Sequence, residues 1–410
     1  MRNLIIACTI LAPASALAGG YVIPNENARD LALSEASVAD QSGPEALFLN
    51  TAALAGPEGL AISASGELLV NRTTWSDPAL GNATLIPQNN LPPTGAVSFG
   101  THLGSGMAWG IGIGAGVPAG GSLIWPNGWQ GQEFIQTVDQ KVYMFGAGAA
   151  FQPIPYLKIG ATFLRYEAQE ELHQSLNFLD HEGSAAIGMS GGSSTFGLAI
   201  QFNAPTIPLS IGANYKHSGD LPLEGDVHFT GVPPSFTSLI HDQTVTESLK
   251  IPNVLDVGAA YALVPNVKLM GTYTFERWSF FKEDKFVGAD GFSVVVPRNY
   301  NNAHVYRLGL EWQLASLSEL TVRLGGLRSI SSQPTDTVSP TISDGNSWAY
   351  SIGAGVNATP NLRFDAGYQH AIFDAVTASG TETLPGTYKT HVDLFSVGIS
   401  WRTDLGLAHH

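Results

Sequence analysis

The sequence predicts an all-β protein, a 14-stranded antiparallel transmembrane β-barrel with an N-terminal hatch, or plug, inside the barrel. Three observations predict it. Long segments alternate apolar and polar residues with period two, short connections alternate with long ones, and the stretch before the first strand breaks both patterns.

The strands come first. Trp348, Tyr350, Ile352, Ala354 and Val356 share one face, while Ala349, Ser351, Gly353, Gly355 and Asn357 share the other. Tyr306, Leu308, Leu310, Trp312 and Leu314 repeat this against Arg307, Gly309, Glu311 and Gln313, and Leu362, Phe364, Ala366 and Tyr368 repeat it against Arg363, Asp365, Gly367 and Gln369. In a sandwich the greasy face would be the core; in a membrane barrel it meets lipid, and the polar or glycine face lines the lumen. These runs are about 10 to 16 residues, longer than strands of soluble sheets, and carry aromatic residues near their ends. Both features favour the barrel.

The connections follow. Short ones are expected at Ser105-Gly106, Pro153-Ile154-Pro155, Ala204 to Ile207, Val264-Pro265-Asn266, Ala315 to Ser318 and Thr359-Pro360, with long irregular segments at 76–93, 119–137, 173–193, 219–242, 284–300, 333–344 and 377–386. Tight periplasmic turns alternating with longer extracellular loops is the order a bacterial barrel requires. Six turns and seven loops imply 14 strands, and the barrel is expected over 58–403, followed by a C-terminal extension at 404–410.

The chain opens Met1-Arg2-Asn3, runs apolar from Leu4 to Leu11 and reaches Ala16-Leu17-Ala18, so residues 1–18 read as a signal peptide. Ile5-Ile6-Ala7-Cys8 resembles a lipoprotein cleavage box but leaves too short an apolar segment before the cut. With Cys8 removed the mature chain has no cysteine, which excludes a disulfide framework, thiol catalysis and thiolate metal sites. Losing Arg2 leaves 19 − 1 = 18 basic against 34 acidic residues, a net of −16, and without clustered Lys and Arg no nucleic-acid partner is expected. The charge-free stretch Leu103 to Gln132 mimics a membrane helix. It carries Pro118, Pro126 and glycine at every second position from Gly110 to Gly116, so it reads as strand with a kinked end.

Residues 19–57 read as loop and short helix, with Asn27 to Ala32 and Glu35-Ala36 as helical pieces and Pro24, Gly43-Pro44 and Gly56-Pro57 as breakers. Leu31, Leu33, Val38, Leu47, Phe48, Leu49 and Leu54 make the segment apolar enough for burial inside the barrel. It is therefore expected to be the hatch.

Other residues carry a resemblance. Gly19-Gly20-Tyr21 opens the mature chain, Asn50-Thr51-Ala52 closes the helical stretch, and Leu249-Lys250-Ile251-Pro252, Val257 to Tyr261, Tyr273, Trp278-Ser279-Phe280-Phe281, Arg323-Leu324-Gly325, Asp344 and Ser351 to Gly355 follow in order. Across essentially the whole mature chain this resembles the FadL/TodX family of outer-membrane transporters of long-chain fatty acids and other hydrophobic compounds. Thr51 departs from the family's Asn-Pro-Ala hatch motif, and Trp401 is followed by a polar tail rather than ending the chain.

The resemblance implies uptake of hydrophobic small molecules across the outer membrane of a Gram-negative bacterium. Capture would occur in an extracellular groove of the third and fourth loops, followed by a lumen pocket and lateral release into lipid near a kinked third strand, about Met107 to Val117. The candidate groove residues are Leu176, Phe178, Leu179, Ile187 and Met189 with Val232, Phe236, Leu239 and Ile240, an unusual amount of apolar surface for extracellular loops. The candidate lumen pocket holds Tyr21, and Lys268, Arg307, Arg323 and Arg363 on inward faces would meet a carboxylate or form ion pairs with neighbours such as Glu311 and Asp365. A greasy path is required in any case, since each buried methylene contributes about 0.8 kcal/mol that a watery channel forfeits.

Partners are thus a hydrophobic ligand and outer-membrane lipid, the protein is expected to be a monomer, and no cofactor, metal or catalytic residue is expected. Gly188-Met189-Ser190-Gly191-Gly192 spells a hydrolase elbow without the strand and helix that elbow needs. Histidines 173, 181, 217, 228 and 241 lack zinc-helix spacing. The alternative readings are a water-filled porin for polar solutes, which needs opposed charge ladders and no apolar plug, and an outer-membrane hydrolase, for which no paired Ser and His is found.

Overall fold

A computed structural model describes residues 27–103, 106–178, 181–217, 219–380 and 383–403. The expected signal peptide, Tyr21, Leu179 and the C-terminal extension lie outside the described residues. Twenty strands follow one another: β1 (Gly59–Asp77), β2 (Gly81–Thr84), β3 (Pro93–His102), β4 (Ala108–Ile124), β5 (Thr137–Ile154), β6 (Leu157–Asn177), β7 (Glu182–Asn203), β8 (Leu209–Lys216), β9 (Asp220–Thr230), β10 (Gln243–Lys250), β11 (Asn253–Val264), β12 (Val267–Arg277), β13 (Glu283–Gly288), β14 (Ser293–Pro297), β15 (Ala303–Gln313), β16 (Leu320–Ile330), β17 (Ser347–Thr359), β18 (Leu362–Phe373), β19 (Val376–Ala378) and β20 (Gly386–Thr403).

Fourteen of them are staves: β1, β3 to β8, β11, β12, β15 to β18 and β20, each antiparallel to the next. β20 closes on β1 from Leu60↔Thr403 to Ser76↔Thr387. A closed cylinder leaves no edge strand, which hydrocarbon demands because it offers backbone N–H and C=O groups no partner. Among the described residues no helix is long and apolar enough to cross a membrane.

The outward faces carry the lipid band. Trp348, Tyr350 and Ile352 are exposed, as are Phe196, Leu198, Ile200 and Phe202 on β7 and Phe395, Val397, Ile399 and Trp401 on β20. Higher up, the alternation reverses. On β6 the outward Ile159 and Phe163 give way to Arg165, Glu167, Gln169 and Glu171, while the inward series becomes Leu164, Tyr166, Leu172 and Leu176. Below this point lipid is outside; above it, water is, and the greasy residues turn inward to build a core.

The remaining strands belong to that upper tier. Lower β7 pairs with β8, but Ser184 to Gly191 pair with β9, which continues through β10 and β13 to β14. Three expectations are corrected here. Segment 173–193 is a strand hairpin rather than an irregular loop, 219–242 contains β9, and 284–300 contains β13 and β14. The Gly188 to Gly192 run therefore lies on strand β7. The phase reversal at Arg165 hid these strands, since each half alternates but in opposite sense.

Residues 27–57 lie inside the cylinder. They form helix α1 (Ala28–Ala32), helix α2 (Ala46–Leu49) and a 3-10 turn (Thr51–Leu54), with Leu31, Leu33, Leu47, Phe48 and Leu54 buried against the staves.

Candidate functional site

The internal segment is held by its own polar groups first. The Asn27 side chain caps α1 by accepting from Asp30 N at 2.9 Å. Buried Asp30 in turn accepts from Asn27 Nδ2 at 2.6 Å and Gln41 Nε2 at 2.9 Å and bonds the Ser37 hydroxyl. This closes a turn that pure burial would leave unsatisfied.

Asn50, Thr51 and Ala52 then fasten it to the wall. Asn50 Nδ2 donates to Val38 O at 2.7 Å and to Ile200 O of β7 at 3.4 Å, while its Oδ1 accepts from Ala52 N at 3.2 Å. Thr51 Oγ1 donates to Leu47 O at 3.0 Å and bonds the Thr162 hydroxyl on β6. A proline at this position has no such hydroxyl. Close approach is possible because the staves carry glycine: a Cβ at Gly160 would overlap Ala52, one at Gly110 would overlap the Leu54 carbonyl, and Phe48 packs into the space at Gly114 and Gly146. The glycines of β4, β5 and β6 thus make room for the internal segment.

Ion pairs complete the attachment near the short turns. Lys268 meets Asp40 at 3.0 Å, Asp40 meets Arg29 at 2.9 Å, Arg29 meets Glu311 at 3.0 Å, Glu311 meets Arg323 at 2.7 Å, Arg323 meets Asp365 at 2.7 Å and Asp365 meets Arg363 at 2.9 Å. Arg307 pairs with Glu35 at 2.9 Å. All four expected lumen cations therefore face carboxylates, and two of them bind residues of the internal segment directly.

At the opposite end the loops fold down as an aromatic roof. Trp125 stacks on Trp129 at 4.2 Å and Trp75 meets Trp129 edge-on at 5.9 Å, all buried. Their indole N–H groups donate to carbonyls of Pro340, Ile135 and Pro385. On the same tier, along β6 and β10, Glu170 and Glu247 are buried, and neither Glu247 carboxyl oxygen has a hydrogen-bond partner among the described residues. Both lie on the tier above the lipid band, where burial pushes the Glu170 carboxyl up to about 8 and Glu247 well above the usual range. Sequence reasoning did not single out these tryptophans: Trp125 and Trp129 lie in the charge-free stretch read as a strand with a kinked end, and Trp75 just before the first long segment.

The expected groove residues divide. Leu176, Ile187 and Met189 are buried in the upper tier. Phe178 stacks on Phe236 at 5.5 Å, Val232 and Ile240 are half-buried, and Leu239 is 68% exposed, an unusual position for a leucine without a partner. A cavity of about 830 Å³ opens in the wall of this tier, lined by Leu223, Phe280, Val287, Glu247 and Lys250. It lies beyond the expected groove, where the segment after Trp278 meets β9 and β10.

The register shifts beside the short turns at Phe151/Ile154, Ala262/Val264 and Asn357/Thr359, and a fourth shift lies away from any turn, on β4. β3 pairs with β4 only up to Gly95↔Ala115, and β4 shifts register on β5 between Gly116 and Ala119. Val117 at this bulge packs on an apolar cluster that includes Leu31 of α1, Leu69, Phe373, Val392 and Leu394.

The family model for outer membrane protein transport proteins (OMPP1/FadL/TodX) matches residues 9–402. The chain belongs to this family. It is an outer-membrane protein of a transporter family. Among solved structures, a Pseudomonas aeruginosa FadL homologue superposes with a TM-score of 0.83 at 16% identity, covering 94% of this chain and 100% of that one. The Pseudomonas putida toluene transporter TodX gives 0.69 at 15%, covering 92% and 99%. A 47 kDa outer membrane protein of Pasteurella multocida is 24% identical over 220 residues, 50% of this chain, and the match spans 49% of that relative.

Proposed function

We propose that this barrel takes up small hydrophobic molecules, such as long-chain fatty acids or aromatic hydrocarbons, as a monomer without cofactor or enzymatic step. The observation that carries it is the internal segment 27–57, buried across the cylinder and bonded to the staves around it. A water-filled porin needs an open constriction, whereas here Leu31, Phe48 and Leu54 of the internal segment are buried among the staves. Structural neighbours named as monoaromatic hydrocarbon and toluene transporters support an apolar cargo.

In this reading cargo is captured at the apolar tips around Phe178, Phe236 and Leu239, with the buried Leu176, Ile187 and Met189 behind them and Leu179 as a further groove residue, and passes under the aromatic roof. Asn50, Thr51 and Ala52 act as the hatch fastening, and Tyr21 belongs to the lumen pocket. Exit is lateral, at the bulge Gly116 to Ala119, where the ladder thins and the cluster of Leu69, Val117 and Leu394 offers a greasy path. Since Lys268, Arg307, Arg323 and Arg363 are already matched by carboxylates, a cargo carboxylate would have to displace one of these partners.

Native mass spectrometry of protein extracted in mild detergent is the direct test. A retained apolar ligand is expected. Recovery of empty protein that also passes sugars in liposome swelling would favour the porin and defeat the proposal.

A further inference from the structure

The outer surface just above the lipid band is not uniform in charge. Across β18, β20 and β1 its β20–β1 side changes from apolar to basic within two outward steps: Leu68, Phe395 and Tyr368 lie side by side, Val70, Asp393 and His370 come next, and above them Arg72 lies beside His391, whose other neighbour is the exposed Ile372, with Lys389 beside Thr74. Phe395 and Tyr368 stack at 4.7 Å. Asp393 gathers the donors, accepting from Arg72 Nη1 at 2.7 Å and Tyr368 OH at 2.8 Å and bonding His370 Nδ1 at 2.8 Å.

That carboxylate orders the cations without neutralising them. Arg72 keeps 52% of its side chain exposed, and Lys389 and His391 are exposed. With the histidines neutral, Arg72 and Lys389 against Asp393 leave 2 − 1 = +1, on a chain whose net charge is −15. The outward residues of β9 on another sector, Asp220, Glu224 and Asp226, are acidic. A local positive field in an acidic protein attracts phosphate, and an arginine fork beside a lysine is the chemistry that holds it.

We infer that this patch binds the phosphate of a lipid in the outer leaflet around the barrel, with Arg72, Lys389 and His391 as the contacts and the Phe395–Tyr368 ring pair against the lipid's apolar part. The occupant is a lipid rather than a soluble anion because the patch is continuous with the hydrocarbon-facing band. The inference rests on the outer-membrane setting and is independent of the cargo.

The test compares wild type with the R72Q/K389Q/H391Q variant in phosphatidylcholine discs doped with bisphosphorylated lipid A or its dephosphorylated form. Lipid retained per barrel after detergent washing is read by native mass spectrometry. Wild type should retain the phosphorylated lipid, and the variant roughly thirtyfold less, as expected when two charges worth about 1 kcal/mol each are lost at a membrane surface. Equal retention by the variant, or equal retention of the dephosphorylated lipid by wild type, overturns the inference. So does binding of inorganic phosphate with no lipid retained. If the triple variant fails to fold, judged by heat-modifiable mobility, Arg72→Gln alone is read in the same way.

Discussion

At the short-turn end of the lumen a chain of charged side chains meets partners at 2.7–3.0 Å, whereas at the loop end Trp125 and Trp129 stack with Trp75 edge-on to Trp129, one ion pair, Arg298–Asp284 at 2.7 Å, is buried, and Glu247 has no hydrogen-bond partner among the described residues. The two ends hold the chain by different physics. Ion pairs in a poorly hydrated lumen are directional, and displacing the internal segment strands buried charges, so that segment has one preferred position. The roof rests on ring contacts and one hydrogen bond per indole, so a molecule that displaces it strands no charge. The first arrangement suits a latch and the second a mouth.

The largest effect should come from removing the latched segment. Deletion of residues 27–50 is expected to turn a closed barrel into one with steady single-channel conductance in planar bilayers. Unchanged conductance would show that the loop end, not the latch, seals the lumen.

Next comes the link between segment and wall. Glu311→Gln breaks the chain of charges at the point where Arg29 meets Arg323, leaving two guanidinium groups short of a carboxylate. A loss of about 3 kcal/mol is expected in urea unfolding followed by heat-modifiability. A change under 1 kcal/mol, roughly the value of a solvated pair, would make the network a wet one and weaken the contrast between the ends.

Trp129→Ala tests the roof. It removes both ring contacts, and truncating a buried aromatic costs about 3 kcal/mol of local packing. Retained ligand should fall while barrel melting barely moves. Equal loss of both would mean the roof is structural rather than a mouth.

The upper tier should also respond to pH. The Glu170 carboxyl, held near 8 by burial, binds its proton in the folded upper tier where an unfolded chain would release it. Its raised value therefore means that the stability of the upper tier declines as pH rises from about 5 through 8, and near-ultraviolet circular dichroism of the aromatic residues packed there should report it. Glu170→Gln should flatten the profile, and a profile that persists would assign it to Glu247.

The smallest effect is expected from Thr51→Pro. Asn50 before it has φ −159° and ψ 90°, extended as a pre-proline residue must be, and the first position of a helical turn tolerates proline. Only the bonds to Leu47 and Thr162 are lost, about 1 kcal/mol. Faster hydrogen exchange over residues 46–54 with intact barrel melting would place that hydroxyl in the latch.

Much of the cylinder was legible in one dimension. Alternation in 306–314, 348–356 and 362–368 reports a strand with hydrocarbon on one side, because a period of two is a local property that no partner has to supply. The alternation of short and long connections yielded fourteen staves for the same reason. The inward position of Arg307, Arg323 and Arg363 followed from parity alone.

The upper tier and the latch were decided only in three dimensions. At Arg165 the solvent outside β6 changes from lipid to water, and the greasy face changes side without any break in the strand, so residues 173–193 looked irregular when read against one environment. The latch joins Arg29 to Glu311, and Thr51 to Thr162. Such pairs depend on which staves close around the lumen, and charge and hydroxyl groups carry no mark in the sequence of the partner that folding will bring to them.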